Sequence, residues 1–397
     1  MKVVQINATC GVGSTGKICV SIAQLLDQNN IENCVLYSVK HGVENEKKYG
    51  KSYSNLFYTK LYAFWAYIFG NQGFNARLIT KRLIRMLDKE APDIVHLHNL
   101  HSHNCDLEML FSYFKQKKIR LIWTFHDCWA FTGYCPYFSA AECDKWLREC
   151  CDCILRKSYS CFFDKSAKLY AKKKKSFSDL DLTIVTPSKW LAELVEKSFL
   201  GSYETKVINN GINLSVFKPA PSDFRKEYGI EEKFIVLGVC FDWHHNKGVD
   251  VFIDLAEKLS DEYAIVLVGS NKDMGVSLPE RIISIERTKD QRRLAEIYTA
   301  CDVFLNPTRE DNFPTVNLEA LACGTPIITF NTGGSPEAID DTCGMTVDCD
   351  VDSMLDAIEY VKKEHPFDQE ACLRRAALFD DNKRFKEYLD LYLKNER

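Results

Sequence analysis

NPTREDNFPTVNLEALACGTPIITFNTGGSPE, residues 306–337, follows a short apolar run (Val303–Leu305) and opens as a polar loop. Pro314 stands where a first helical turn tolerates it, because the N–H it lacks is one the helix leaves unpaired. Val316–Ala322 is helix-compatible, Gly324 ends the helix, and Pro326–Phe330 reads as the next buried parallel strand. Gly333-Gly334 make a second tight loop ahead of Ser335-Pro336-Glu337. A loop-to-helix junction presents unpaired backbone N–H groups and the positive end of a helix dipole, which suits a diphosphate. Asp311 and Glu319 bracket the junction with seven residues between them, the first in the loop and the second a turn inside the helix. There Glu319 could accept hydrogen bonds from ribose hydroxyls, and Asp311 would lie near the sugar end of a ligand lying across the helix start. By spacing alone, the stretch also reads as an ordinary βαβ crossover with solvated acids.

The full string resembles the donor-binding signature of glycosyltransferase family 4, retaining enzymes of the GT-B fold. That signature runs Glu, seven residues, Glu, a small-residue helix, Gly-Thr-Pro, and a Gly-Gly loop before Glu. Asp311 stands where the first Glu is usual, which keeps the carboxylate but retracts it by one methylene. The resemblance covers nearly the whole chain. It implies an α/β architecture of two Rossmann-like, doubly wound parallel-sheet domains facing an interdomain cleft. These are an acceptor-side domain over 1–204, a nucleotide-sugar domain over 205–380, and a helix over 381–397 that crosses back. It implies donor contacts from Asp311, Asn312, Phe313, Thr315, Val316 and Glu319.

Other landmarks fall into the same frame. Val3–Asn7 reads as a first strand, and Gly11-Val-Gly-Ser-Thr-Gly-Lys17 as the turn into a helix. That loop spells most of a nucleotide-triphosphatase motif, but Ile18 stands where a Ser or Thr must hold Mg²⁺. By resemblance the loop approaches the donor diphosphate instead, through Gly13. Pro92-Asp-Ile-Val-His-Leu-His98 is similar to the family's acceptor-side strand, which makes His98 and Asn99 acceptor-side residues. His96 and His98 share a strand face, yet no carboxylate or cysteine stands near them at a metal-ligand spacing. Thr124-Phe-His-Asp127 looks like the strand end that places a histidine beside the sugar, so His126 positions donor and acceptor and Asp127 orients it. Beyond the strand Phe234–Val239, the family expects an Arg and then Lys-Gly to clamp the diphosphate. Lys247-Gly248 is present, but the Arg position falls on Phe241 or Asp242.

Ten of the 17 cysteines are scattered singly, as small buried apolar residues. The other seven crowd into 128–161, where Cys150 and Cys153 form a CxxC downstream of Cys135 and Cys143. These four can make a closed structural zinc site, and plain thiols in an insertion are the other reading. The run Lys172–Lys175 reads as a solvated helix face, and the aromatics of 61–69 mostly as core.

At 397 residues two domains are expected, and a net charge of −4 argues against a nucleic-acid binder. Residues 1–200 carry 28 Lys+Arg against 19 Asp+Glu, whereas residues 201–397 carry 23 against 36. The basic half, with Arg77, Lys81, Arg82 and Arg85, favours an anionic membrane surface; solubilising charge is the plainer explanation. With no signal peptide and no spanning stretch in view, the expected place is the cytoplasm, peripheral to the inner face of the membrane. The expected reaction is metal-independent, retaining transfer of a hexose from a nucleotide-sugar to a glycan or lipid-linked acceptor in surface-polysaccharide synthesis. His126, Asp127, Lys247 and Asp311 would carry it, with no catalytic cofactor. A GT-B-like epimerase or phosphorylase, or a silent nucleotide-sugar-binding protein, uses the same groups.

Overall fold

Apolar runs of four to six residues without polar alternation need cover on both faces, and helix-flanked parallel sheets supply it. The computed structural model describes residues 1–101, 103–269, 276–288 and 290–394. It divides into two compact units: Met1–Ile208 with the chain from Phe385 on, and Asn209–Arg384.

The first unit holds β1 (Lys2–Asn7), β2 (Glu32–Tyr37), β3 (Gly50–Ser52), β4 (Ile94–Leu97), β5 (Arg120–Thr124), β6 (Leu182–Thr186) and β7 (Glu204–Val207). They pair in parallel in the order β3-β2-β1-β4-β5-β6-β7. The winding reverses between β1 and β4, and in such sheets ligands bind beyond the carboxyl ends of the strands. One face of the sheet packs Leu97, Phe111, Trp123 and Phe177. The other packs Val3, Ile22, Ile94 and Ile122 against Phe385, Tyr388, Leu389 and Tyr392 of the helix Asp381–Leu393. Each such burial contributes about 1.5–3 kcal/mol. Arg120 also donates to the carbonyls of Leu391 and Tyr392, satisfying acceptors that a helix end leaves open. The last three residues of the expected 381–397 helix lie outside the described residues.

The second unit holds β8 (Phe234–Val239), β9 (Tyr263–Val268), β10 (Ile282–Ile285), β11 (Val303–Asn306), β12 (Ile327–Phe330) and β13 (Gly344–Val347). All pair in parallel, in the order β10-β9-β8-β11-β12-β13, reversing between β8 and β11. Val236, Phe252, Leu267 and Ile358 fill one face; Leu237, Val266, Phe304 and Leu321 fill the other. The expected pair of doubly wound parallel sheets is what the chain forms. The second sheet ends on β10 at one edge and β13 at the other.

Two local expectations fail. The helix Leu56–Phe69 buries only Ala66, so most of its aromatics are not core: Phe57, Phe64 and Trp65 are 70%, 58% and 44% exposed, and only Tyr62 packs partly buried against the core. Lys173 is not solvated but fully buried. Four consecutive lysines span about 300° of a helix, so one must turn inward. Its ammonium donates to the carbonyls of Trp129 and Thr132 and lies 3.5 Å from the Trp129 ring centroid. Burial pulls its pKa down to about 7. Of the ten scattered cysteines, eight are buried as expected; Cys240 is half-buried and Cys349 exposed.

Candidate functional site

In the second unit, the chain leaving β11 makes a loop and enters the helix Thr315–Ala322, with Pro314 as its N-cap and Gly324 (φ 83°) just past its end. Pro314 has no capping side chain. The first N–H groups of the helix, those of Thr315 and Val316, have no intrahelical acceptor. A buried polar network fixes the helix on the sheet. Asn317 accepts from Asn306 on β11 and donates to the Ser335 carbonyl and hydroxyl, and Ser335 meets Thr329 on β12. The Gly-Gly loop clamps the other side, with Gly334 N–H donating to the Asp311 carbonyl. Gly333 lies so close that a Cβ would fall 2.0 Å from that oxygen. Only glycine fits at this point.

Lys247 reaches the same loop from the short turn after β8. Gly248 (φ 75°) ends the turn where a Cβ would stand 2.4 Å from the Pro307 carbonyl oxygen. The Lys247 ammonium pairs with Asp311 at 2.7 Å and donates to the Glu310 carbonyl at 3.3 Å and the Thr308 hydroxyl at 3.4 Å. Glu319 lies half-buried within the helix and accepts from the buried Tyr298 hydroxyl. Arg309 is occupied elsewhere, bidentate on Asp250. The loop thus gathers a cation, two carboxylates and helix N–H groups. Two residues expected to touch a donor are enclosed instead. Phe313 packs on Phe379, and its carbonyl accepts from Asn210; Asn312 is buried as well.

In the first unit, Gly13 opens the helix Gly13–Gln28 at φ 69° with open space around it. The preceding loop is held by its own bonds, Gly11 N–H to the Gly16 carbonyl and the Thr9 hydroxyl to the Val12 carbonyl. Pairing of β4 with β5 brings together histidines 28 positions apart in sequence. His98 faces Gln5 at 3.1 Å and His126 at 3.2 Å. Proton positions follow from chemistry. The Gln5 amide nitrogen donates to the Cys19 carbonyl, so its oxygen faces His98 and Nε2 of His98 must donate. Nδ1 of His98 is then an acceptor, and Nε2 of His126 donates to it. His98 therefore orients His126, and its ring, 2% exposed, is engaged at both nitrogens. Asn99 is tied through its N–H to the Asn7 side chain.

Asp127 stands beside His126 and its charge favours the protonated form of that ring. It pairs with His101 at 2.9 Å and accepts from the Trp129 N–H, while the orienting bond to His126 comes from His98. Burial alone would raise the Asp127 carboxyl, but His101 and the Trp129 N–H hold it below the usual range. Burial pushes His126 down to about 4 and His96 to about 3, and holds His98 well below an ordinary histidine. All three are neutral near pH 7. His96 bridges Thr124 and Tyr392, which ties the strand to the C-terminal helix.

Among the four expected zinc ligands, Cys135 and Cys150 are buried, and Cys143 and Cys153 are partly exposed. Burial first, then the neighbouring thiols, push Cys135 to about 12, and burial pushes Cys150 to about 11. Gly133 N–H donates to the Cys150 sulfur at 3.2 Å. Among the described residues, no group of three or more His, Cys, Asp or Glu is arranged to hold a metal ion. The four thiols would have to turn onto a common centre to bind one.

Comparison with known proteins bears on the family and the fold. Residues 19–216 match the family model described as Glycosyltransferase Family 4, and residues 232–363 the model described as Glycosyl transferases group 1. A glycosyl transferase named for colanic acid biosynthesis, WcaC of Escherichia coli (strain K12), is 22% identical over 414 residues, spanning 99% of each chain. Among solved structures, sucrose-phosphate synthase from Thermosynechococcus elongatus superposes with a TM-score of 0.71 at 15% identity, over 99% of this chain and 98% of that one. Anabaena HepE in complex with UDP superposes with a TM-score of 0.70 at 14% identity, over 99% of this chain and all of the other. HepE has also been solved with UDP-glucose.

Proposed function

The chain belongs to glycosyltransferase family 4, with the GT-B fold, and on that premise we propose that it moves a hexose, with retention, from a nucleotide-sugar to a glycan or lipid-linked glycan. The observation that carries the donor assignment is the Lys247–Asp311 pair at the mouth of the helix Thr315–Ala322, with Glu319 a turn inside it. The diphosphate would lie on Lys247 and the Thr315 and Val316 N–H groups, the ribose on Glu319 and the sugar toward Asp311. Stabilising the charge that develops on the leaving diphosphate supplies most of the rate, and no resident metal is assigned to that step. A histidine held at about 4 is a weak base, so His126 would orient sugar hydroxyls by hydrogen bonding rather than take their protons. UDP and UDP-glucose in HepE support a nucleotide-sugar donor, and the name of WcaC supports polysaccharide synthesis.

The exposed aromatic helix Leu56–Phe69 and the exposed Arg77, Lys81, Arg82 and Arg85 support a peripheral position on an anionic leaflet, on the cytoplasmic side. No described helix is long and apolar enough to cross a membrane. A structural zinc on Cys135, Cys143, Cys150 and Cys153 belongs to the same proposal, supported by the CxxC of Cys150 and Cys153 and the two cysteines upstream of it.

Incubation with UDP-, GDP- and ADP-sugars and a lipid-linked glycan extract, read by nucleotide release and by NMR of the new anomeric proton, tests the reaction. An axial donor sugar should stay axial in the product. An equatorial linkage sinks retention; a sugar phosphate or an epimerised donor assigns the chemistry to a phosphorylase or an epimerase. Donor binding without turnover leaves a binding protein.

A further inference from the structure

Phe241 is 67% exposed just past the end of β8, an unusual place for a bare phenyl ring. The guanidinium carbon of Arg287 lies 4.1 Å from its ring centroid. Strand register explains the meeting. Val239 on β8 pairs with Val268 on β9, and Val268 pairs with Ile285 on β10. Phe241 and Arg287 therefore each stand two residues beyond the same line, at the carboxyl edge where ligands of such sheets bind. Lys247 and the 308–311 loop follow the ends of β8 and β11 at this same edge.

Among the described residues, the other positive charge at this edge is already engaged. Lys247 is paired with Asp311 and Arg309 with Asp250, while Asp242, Glu286 and Glu310 add negative charge nearby in sequence. A nucleoside diphosphate brings two or more further negative charges. Among the described residues, Arg287 makes its contact with the Phe241 ring, and no carboxylate pairs with it. A guanidinium held over a ring makes no hydrogen bond to it, which leaves its planar fork of N–H donors to fit two phosphate oxygens.

We propose that Arg287 supplies the second positive charge to the diphosphate of the donor, with Phe241 as the residue that positions it. The cation thus comes from the β10 side of the edge, and the residue after β8 serves as its platform. This rests on the donor-site reading above, and the two can fail separately.

The test is calorimetric titration of UDP, ADP and GDP into the full chain and four variants, with melting temperatures to confirm folding. Arg287→Ala should weaken the best-binding nucleotide roughly 10- to 150-fold, the range for lost hydrogen bonds to a charged group. Phe241→Leu should cost less, because the charge remains but is no longer held. Adding Phe241→Arg to Arg287→Ala should restore much of the loss, which a merely structural role for Arg287 does not predict. Lys247→Ala is the fourth variant. If it weakens binding while Arg287→Ala binds as the parent does, the Arg287 assignment is overturned and the donor site stands. If no nucleotide binds the parent, or neither variant changes its affinity, the donor-site reading falls and Arg287 with it.

Discussion

Replacing Lys247 with alanine changes two charges at once. The ammonium disappears, and Asp311, 2.7 Å from it, is left facing the diphosphate without that counter-charge. Both side chains are about a quarter exposed, so the pair itself contributes at most about 1 kcal/mol to folding, and the variant should fold. Its effect on ligand is larger. A unit charge about 4 Å from a phosphate oxygen is worth roughly 4 kcal/mol at an effective dielectric near 20, before compensation by water. Losing a donor aimed at developing charge typically costs about 2.7–4 kcal/mol, or about 100- to 1,000-fold in turnover. Turnover should therefore fall more than donor affinity, because the diphosphate gains charge as the glycosidic bond breaks. Asp311→Asn combined with Lys247→Ala should recover part of the lost UDP affinity, since the uncovered carboxylate is gone. Steady-state kinetics and UDP calorimetry on both variants decide it. If only KM rises, Lys247 anchors the ground state alone. If the double variant binds UDP more weakly than Lys247→Ala, the charge argument is wrong.

Glu319→Gln keeps shape and the bond from Tyr298 but loses charge-assisted bonds to ribose, so nucleotide affinity should fall roughly tenfold or more; unchanged calorimetry removes the ribose role. Acid should destabilise the chain. Burial holds His96 at about 3, His103 and His126 at about 4, and His98 low, whereas the unfolded chain binds those protons near about 6.5. The stability from these four is therefore fully present above that pH and lost as pH falls toward their folded values. Each costs about 1.4 kcal/mol per pH unit in that window, so a urea midpoint that stays flat between pH 7 and 5 would refute the neutral cluster. If zinc sits on Cys135, Cys143, Cys150 and Cys153, protein purified reduced and without chelators should carry about one equivalent, and chelation should lower its melting temperature. No metal leaves plain thiols. Sedimentation with vesicles should show salt-sensitive binding to anionic lipid only, weakened by Phe64→Ser with Trp65→Ser; equal binding to neutral vesicles, or none at low salt, removes the membrane surface.

The strands with strong apolar runs were legible because parallel strands are buried on both faces: Phe234–Val239 is β8 residue for residue. The strands β3, β10 and β13 were not, because glycine or polar residues interrupt them and they are only partly buried, unlike the equally short β4, β11 and β12. Burial was the weaker reading. Lys173 and the aromatics of Leu56–Phe69 look alike in sequence whether a neighbour covers them or not, and both went against expectation. At the site, spacing brought Asp311 and Glu319 into view because both lie on one strand–loop–helix unit, whereas Lys247 came from the resemblance, through the family's Lys-Gly after β8. The pairing of His98 with His126, of His101 with Asp127 and of Arg287 with Phe241 depends on strand register across a sheet, which local pattern does not encode. An exposed phenylalanine where a cation was expected was the one available signal for Arg287.

A crystal structure of the protein grown with its best-binding nucleoside diphosphate tests the donor assignment most directly. Phosphate oxygens should lie within hydrogen-bond distance of the Lys247 ammonium and the Thr315 and Val316 N–H groups, with the ribose hydroxyls on Glu319. A nucleotide seated elsewhere, with Lys247 still paired only to Asp311 and Glu319 untouched, would contradict it.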